Sequence, residues 1–520
     1  MPTPVSTSQP SGVIFGRFRR QSFHQRIEDR SGEGSGRERG EGVGGGSGRV
    51  VSETSAGVKP MRKQEIARLE EIAFAGHQLF LRFSYDGASF ATTFWYDSVD
   101  LDTLAARLDH QVIERIGFHV AAFEIAKLAS LGARAIDFGR YARYQTVDFE
   151  DCWRKIFHGV WAQWRYENRQ PDFRPALVAD STTDEPAPVD LEPGEVEVLN
   201  LCGGGKDSLV SMKLLERAGI PFASLAYSHS VYGRHRPQHA LIESLLAHGR
   251  PARSHRMWIF EDLLDSPVLE LHPDLGVRSL IAAETPVSVF ATLPIALAHG
   301  YRYLSVGHER SADRGNLVWE ATGEEVNHQW GKSYEAERLL DRYVRDHLVA
   351  GLKYFSLLKP LHDVAIFHLL RRDLDAVPDT HSCNVEKPWC KRCAKCAYVW
   401  INYMAYLPVD LVDAIFGGTP LLDLPDNQLI FRQMLGLEEH TPFECIGHVE
   451  ESRLAFALCH RKGLRGRAMS TFLEEVPPFD VDAALESYLE IHRDGHGIPA
   501  ELAERLLPRM ETSPARIASR

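Results

Sequence analysis

Between Leu79 and Tyr96 apolar and polar positions alternate, through Leu79, Leu81, Phe83 and Tyr85 and then from Phe90 to Phe94 and Tyr96, with Asp86-Gly87 between the two runs. A period of two belongs to strands, and Asp-Gly between two such runs predicts a β-hairpin. Leu101 to Leu131 then carries apolar residues at helical spacing, with a break expected near Gly117, and Val147 to Tyr166 is rich in Trp and Phe, which suits core packing better than a substrate cleft. These elements make an N-terminal α+β domain over 65–170. Five prolines between Pro171 and Pro193 predict a linker over 171–194. From there strand and helix patterns alternate. Val196 to Leu201 reads as a strand and Leu209 to Leu215 as a helical face; Pro221–Tyr227, Met257–Phe260 and Tyr301–Val306 read as strands; Gln238–His248 and Pro286–His299 read as helices, the second of them buried. That alternation predicts an α/β fold with a doubly wound parallel sheet over 195–380. The 401–505 region is helical by pattern, and 506–520 reads as a frayed tail.

Residues 1–60 carry a different pattern. Nine of the twenty positions from Ser31 to Val50 are glycine, interleaved with Arg, Glu and Ser, so the stretch cannot bury enough apolar surface to offset its ordering entropy. It is expected to be disordered, and since Met61 opens the first periodic segment it reads equally well as an over-extended start or a functional tail. The 520 residues are 44% hydrophobic and 25% charged, with a net charge of −12, and removing the tail's excess of basic residues leaves the body more acidic still. Such a balance argues against nucleic acid or anionic lipid as the main partner. No apolar run reaches membrane-spanning length and the first thirty residues lack a signal-peptide core, so the expected location is the cytoplasm and the expected partner a small molecule; the pattern leaves the oligomeric state open.

The candidate chemistry begins where the strand ending at Leu201 passes into a helix through Gly203-Gly204-Gly205-Lys206-Asp207-Ser208. Unpaired amides and the positive end of the helix dipole attract an anion there; the glycines allow close approach, Lys206 adds a cation and Ser208 a hydroxyl. The spacing fits neither a Walker loop nor a dinucleotide fingerprint. It resembles the Ser-Gly-Gly-x-Asp-Ser loop of the PP-loop ATP pyrophosphatase superfamily (adenine nucleotide alpha hydrolase-like), with Gly203 in place of the first serine. The resemblance implies ATP, with Asp207 placing magnesium. In an open parallel sheet the ligand lies over the carboxyl ends of the strands, so Ser228, Gly307, His308, Glu309 and Arg310 are expected around the same crevice. Arg310 is expected to meet a phosphate or carboxylate, and Glu309 to hold magnesium or act as a base. The polar stretch from Gly323 to Ser333, with His328, is a candidate substrate loop.

Cys383, Cys390, Cys393 and Cys396 follow C-x6-C-x2-C-x2-C. Four thiolates so close can close a tetrahedral zinc site over 381–400, structural because no coordination position stays open, with Lys387, Lys391, Arg392 and Lys395 offsetting its charge; an iron–sulfur cluster is the alternative. A similar structural zinc cluster follows the nucleotide domain in the PP-loop enzyme that makes cyano-deazaguanine. Further on, Cys445 and His448 are a candidate thiol–imidazole pair.

The order of these features resembles one family. The glycine loop, then Ser305-Val306-Gly307-His308-Glu309-Arg310-Ser311, then Glu325-Val326-Asn327-His328-Gln329-Trp330, then the cysteines, then Pro442-Phe443-Glu444-Cys445-Ile446-Gly447 is similar to UDP-N-acetylmuramoyl-L-alanyl-L-glutamate epimerases, over residues 65–480. That likeness implies ATP-dependent inversion of the terminal L-glutamate of a peptidoglycan precursor, with release of AMP and pyrophosphate. Lys206, Asp207, Glu309, Arg310, His328 and Cys445 are the candidate catalytic residues, and Glu309, His328, Cys445 and His448 the candidates for moving protons. A nucleobase- or tRNA-modifying enzyme and a non-catalytic nucleotide sensor remain as alternative classes.

Overall fold

A computed structural model describes residues 65–267 and 281–511. The 1–60 tail, Met61 and most of the 506–520 tail lie outside those residues.

The predicted hairpin forms as β2 (Gln78–Tyr85) and β3 (Ala88–Tyr96), following β1 (Ile66–Ala75), and Asp86 and Gly87 make the turn with φ of 47° and 78°. Positive φ at both central residues matches the turn to the strand twist. The helical stretch divides at Asp109 instead of Gly117. Helix α1 (Leu101–Leu108) ends there, and Asp109 caps α2 (His110–Glu124) by accepting from the Gln111 amide. Gly117 lies inside α2 because a Cβ there would sit 2.9 Å from Ile72, so glycine allows the helix to lie close on β1. The chain continues through β4 (Ala135–Asp137), α3 (Val147–Val160), α4 (Ala162–Glu167), β5 (Ala176–Leu177) and β6 (Val189–Asp190).

The second half supplies β7 (Val198–Cys202), α5 (Lys206–Arg217), β8 (Phe222–His229), α6 (His235–Leu246), β9 (Arg253–Glu261), α7 (Glu284–His299), β10 (Tyr303–Val306), β11 (Leu317–Trp319), β12 (Glu324–Val326), α8 (Tyr334–His347), β13 (Val349–Ala350) and β14 (Lys353–Ser356). As its pattern predicts, α7 is buried from Pro286 to Leu297. One ten-stranded sheet runs β14-β10-β7-β8-β9-β3-β2-β1-β4-β5, so the fold is α/β with a large, mixed sheet. Strands β14 to β9 are mutually parallel, while β9 and β3 meet antiparallel over Thr92–Tyr96. The expected separate domain over 65–170 therefore shares its sheet, and its largest apolar cluster, with the parallel region, and the proline-rich segment adds β5 to the sheet and pairs β6 with β13. Alternation over a single hairpin does not reveal which strand its outer edge will meet.

At the β3–β9 seam Lys127 is buried between Glu124 at 2.8 Å and Glu261 at 3.2 Å, with Thr92 donating to Glu124. Burying three charges is tolerable only when each is paired, and removing one partner costs about 3–5 kcal/mol. Beyond the sheet the chain is helical: α9 (Asp363–Leu369), α10 (Ala394–Tyr406), α11 (Val409–Phe416), α12 (Asn427–Met434), α13 (Val449–Arg461), α14 (Arg467–Glu475), α15 (Val481–Leu489) and α16 (Ala500–Met510). These helices close a second apolar cluster against the other side of β7 and α5. Among the described residues no helix is long and apolar enough to cross a membrane.

Candidate functional site

Strand order places the site. From β7 the chain turns one way to β8 and β9 and later the other way to β10, so the loops after β7 and β10 diverge across a switch point, where ligands of open α/β sheets bind. A cavity of about 590 Å³ opens there.

Its first wall is the glycine loop. Gly203, Gly205, Asp207 and Ser208 line it, and the Gly203 amide donates to Ser208 Oγ at 3.1 Å. Gly204 has φ of 85° and faces the His381 ring, 2.1 Å from where a Cβ would lie, so its backbone packs against His381 instead of the cavity. Gly307, after β10, meets Asp207 closely enough that a Cβ there would be 3.2 Å from the Asp207 Cβ. Asp207, Glu309 and Asp363 each offer a carboxylate oxygen, and these lie within 4.8 Å of one another. Burial raises Asp207, whereas Lys332, Lys206 and Lys395 outweigh burial at Glu309 and keep its carboxyl below the usual range. Oxygen-only donors at this spacing suit a hard cation such as magnesium.

Like Gly204, the expected site residues Lys206, Ser228 and Arg310 do not reach the cavity. Lys206 turns inward, buried between Asp207 Oδ1 and Asp363 Oδ1 at 2.5 Å each and over the Phe367 ring, because α9 brings a second carboxylate beneath the loop. Ser228 Oγ is engaged by His235 and His239 at 2.7 and 2.8 Å, on the helix that covers its strand. Arg310 points away, its Nη1 3.5 Å from the Gly495 carbonyl.

The opposite wall is assembled from distant segments. His328, Gln329 and Lys332 come from the β12–α8 loop, Glu284 from the start of α7, Lys395 from α10, and Glu444 and Cys445 from the loop before α13. Gln329 donates to the Ile446 carbonyl at 2.9 Å, Asn316 donates to the Pro442 carbonyl at 2.9 Å, and Lys395 Nζ donates to the Cys445 carbonyl, so the thiol's loop is held from three sides. Buried Lys359 donates to the backbone carbonyls of both Glu309 and Lys332, at 2.8 and 3.0 Å, fixing the two loops together. His328 Nδ1 lies 2.6 Å from Gln163 Oε1, which leaves its other ring nitrogen for the hydrogen bond with Cys445.

That pairing, and not one with His448, sets the thiol's chemistry. Burial alone would raise Cys445, but Lys332, the His328 hydrogen bond and Lys395 outweigh it and bring the thiol down to about 6. His328 is raised by the same contact against the pull of burial, and Lys332 is raised by Cys445 and Glu309. At neutral pH the arrangement favours the thiolate, beside an ammonium and an imidazole whose charged form the thiol stabilises, a group able to take and give a proton. His448 caps α13 through the Glu451 carboxylate instead.

Sequence reasoning passed over Lys332 as one residue of a polar loop, and it missed Glu284 and Asp363. Glu284 carried a signal, as a carboxylate at the head of a helix buried thereafter; for Asp363 no local pattern marks the role.

The four cysteine sulfurs also lie within 4.8 Å of one another, with the Cys383–Cys393 and Cys390–Cys396 pairs at 3.8 Å. Tetrahedral thiolates about 2.3 Å from zinc would be about 3.8 Å apart. The Val385 and Glu386 amides donate to Cys383 Sγ and the Cys396 amide to Cys393 Sγ, as amides do for metal-bound thiolates. Lys387, Arg392 and Lys395, between and beside these cysteines, line the cavity, so this knuckle supplies cations to the site.

Fold and cavity together define an α/β protein with a strand-end site that brings a glycine-rich strand-to-helix loop and the Cys445 thiol to one cavity. Residues 283–357 match the family described as the MurL N-terminal domain, and residues 379–480 the MurL C-terminal domain. The chain is 31% identical over 359 residues to the UDP-N-acetyl-alpha-D-muramoyl-L-alanyl-L-glutamate epimerase of a Micromonospora species, covering 66% of this chain and 75% of that protein. It is 32% identical over 332 residues to the Salinispora tropica protein of the same name (61% and 67% covered) and 30% identical over 324 residues to that of Xanthomonas oryzae (60% and 68%). The chain belongs to the MurL family.

Proposed function

We propose that the protein is an epimerase that uses ATP to invert the terminal L-glutamate of UDP-N-acetylmuramoyl-L-alanyl-L-glutamate, in the cytoplasm, during peptidoglycan precursor synthesis. The relatives' activity supports the reaction, and one observation carries its chemistry: the Cys445 thiol, held at about 6, opens into the same cavity as the glycine loop. A free carboxylate resists loss of the neighbouring α-proton, since the carbanion would add a second negative charge beside the first. Attack of that carboxylate on the α-phosphorus of ATP forms a C–O–P linkage and expels pyrophosphate, giving an acyl adenylate whose carbonyl can carry the carbanion as an enolate.

Gly203, Gly205 and Ser208 would hold the phosphates at the amino end of α5. Asp207 and Glu309, the two carboxylates of that cluster on the cavity wall, would hold magnesium, which when bound neutralises phosphate charge, while Asp363 keeps Lys206 beneath the loop. Cys445, poised by His328, would take the α-proton, with Lys332 close enough to both walls to balance the enolate. Water then cleaves the adenylate, releasing AMP and the D-epimer and making the reaction effectively one-way. The Cys383, Cys390, Cys393 and Cys396 knuckle would hold structural zinc. Incubation with the L-substrate and ATP should yield D-glutamate after hydrolysis, with AMP and pyrophosphate in equal amounts. ADP and phosphate, or an amide or nitrile product, would replace this reading with another ligase-type or nucleobase-modifying one.

A further inference from the structure

A neutral imidazole takes a proton from a thiol only through the ring nitrogen that carries no hydrogen, so the other nitrogen must hold the ring's proton. Helix α4 decides which nitrogen that is. His328 Nδ1 lies 2.6 Å from Gln163 Oε1, and no other hydrogen bond to that nitrogen is present among the described residues. Gln163 Nε2 donates in turn to Glu167 Oε1 at 2.9 Å, one turn along the same helix. The exposed Glu167 carboxylate only accepts, so the amide nitrogen faces it and the amide oxygen is left for His328. That oxygen also only accepts, so Nδ1 carries the proton and donates. Reversing the amide would set two acceptors face to face at 2.9 Å, and reversing the tautomer would do the same at 2.6 Å. Nε2 is then the acceptor that meets Cys445.

The rest of α4 holds Gln163 in this place. Trp161 and Trp164 are buried in the core, and buried Arg165 grips Glu324 with two hydrogen bonds of 2.9 and 2.8 Å, on the strand that leads to His328. The Tyr166 hydroxyl donates to Glu439 at 2.7 Å, and its ring centroid lies 6.0 Å from that of Phe443 on the Cys445 loop. One short helix thus touches both loops that meet at the thiol, and it lies outside the two stretches that match the MurL domains. The other titratable groups around the pair are Lys332 and Lys395 at the thiol, Glu444 at the imidazole, and Glu284, Tyr227 and Tyr232, which feel the thiol's charge. None of them hydrogen-bonds Nδ1, so the choice of tautomer falls to Gln163.

We infer that Gln163, aligned by Glu167, is a positioning residue that holds His328 in the tautomer whose Nε2 accepts the Cys445 proton. The S–H bond breaks toward Nε2, leaving a thiolate and an imidazolium whose Nδ1–H stays on Gln163. A neutral amide suits the task, because a carboxylate in its place would hold the ring charged. Its part in turnover rests on the epimerase reading above, in which the thiolate then takes the α-proton and the electron pair of the Cα–H bond enters the activated carbonyl.

Two readouts on the full chain need no substrate: the pH profile of Cys445 alkylation by iodoacetamide, followed by mass spectrometry, and the nitrogen-15 NMR signals of His328, assigned by their loss in His328→Gln. In the parent protein the neutral ring should carry its proton on Nδ1. Gln163→Met should lose that preference, raise the alkylation midpoint by about half a pH unit or more, and lower kcat for inversion by about 10-fold or more while KM holds. Gln163→Glu, which keeps an oxygen acceptor on Nδ1, should restore the Nδ1 proton and recover inversion relative to Gln163→Met. Tyr166→Phe, which takes a different contact from the same helix, should leave the midpoint at the parent value. The assignment is overturned if Gln163→Met keeps the parent's tautomer and midpoint, if Gln163→Glu does no better than Gln163→Met, or if Tyr166→Phe shifts the midpoint equally, which would make the helix a structural support alone. A shifted midpoint in Gln163→Met together with no ATP-dependent α-proton exchange in the parent would uphold the assignment and reject the epimerase reading instead.

Discussion

The two walls of the cavity are built in opposite ways. One is a contiguous hexapeptide, Gly203 to Ser208, set by a strand and a helix that meet at a switch point. The other gathers Glu284, His328, Lys332, Lys395 and Cys445 from across about a third of the chain and holds them by hydrogen bonds between loops. A local wall can bind an anion with little help from the rest of the fold. A distributed wall depends on every strut, and its reactivity is a property of neighbours: burial alone pushes the thiol up, and only Lys332, His328 and Lys395 together bring it down.

The largest effect should come from the four-cysteine knuckle, proposed to hold zinc, whose neighbouring cations line the cavity. Cys393→Ser removes a ligand and leaves three thiols, and since structural zinc contributes about 10–16 kcal/mol in small sites, soluble folded protein should be lost along with about one zinc per chain. Soluble, active protein with no metal by elemental analysis would show that the knuckle holds without it. Next, Cys445→Ser should lower inversion by about 10²–10⁴-fold while pyrophosphate release persists. Asp207→Ala should act in the reverse sense, lowering pyrophosphate release by about 10²–10³-fold with inversion lost in step. If both variants lose both activities equally, the division of labour between the walls is wrong.

How much of this was legible follows the same division. The glycine loop and the four cysteines are each spelled within a short stretch, so the loop's place between strand and helix and the clustering of the thiols could be read directly, and the hairpin and α7 declared themselves by period. Lys206, Ser228 and Arg310 misled because composition gives proximity along the chain and not the direction of a side chain. Asp363 draws Lys206 inward from 157 residues away, and the helix after β8 claims Ser228. Cys445 was visible, but its partner was sought three residues on at His448, when the fold supplies His328 from another loop. The expected domain boundary failed as a structural divide because β3 offers its free edge to β9, a pairing decided by tertiary packing.

The smallest expected effect is on titration. Because the folded thiol lies at about 6 against an ordinary 9.0, alkylation of Cys445 should rise through pH 6, and the stability its thiolate contributes should be lost as pH falls through that value. Lys332→Met removes the largest charge holding the thiol down, so the alkylation midpoint should move upward by about one unit or more. A midpoint that stays put would separate Lys332 from the thiol.

The most direct measurement is turnover of UDP-N-acetylmuramoyl-L-alanyl-L-glutamate in deuterated water with and without ATP. Deuterium should appear at the glutamate α-carbon of the D-product only when ATP is present, with one pyrophosphate formed per inversion. Inversion without ATP, or ATP-dependent turnover with the α-proton fully retained, would contradict a site in which the glycine loop activates a carboxylate for deprotonation by the thiol across the cavity.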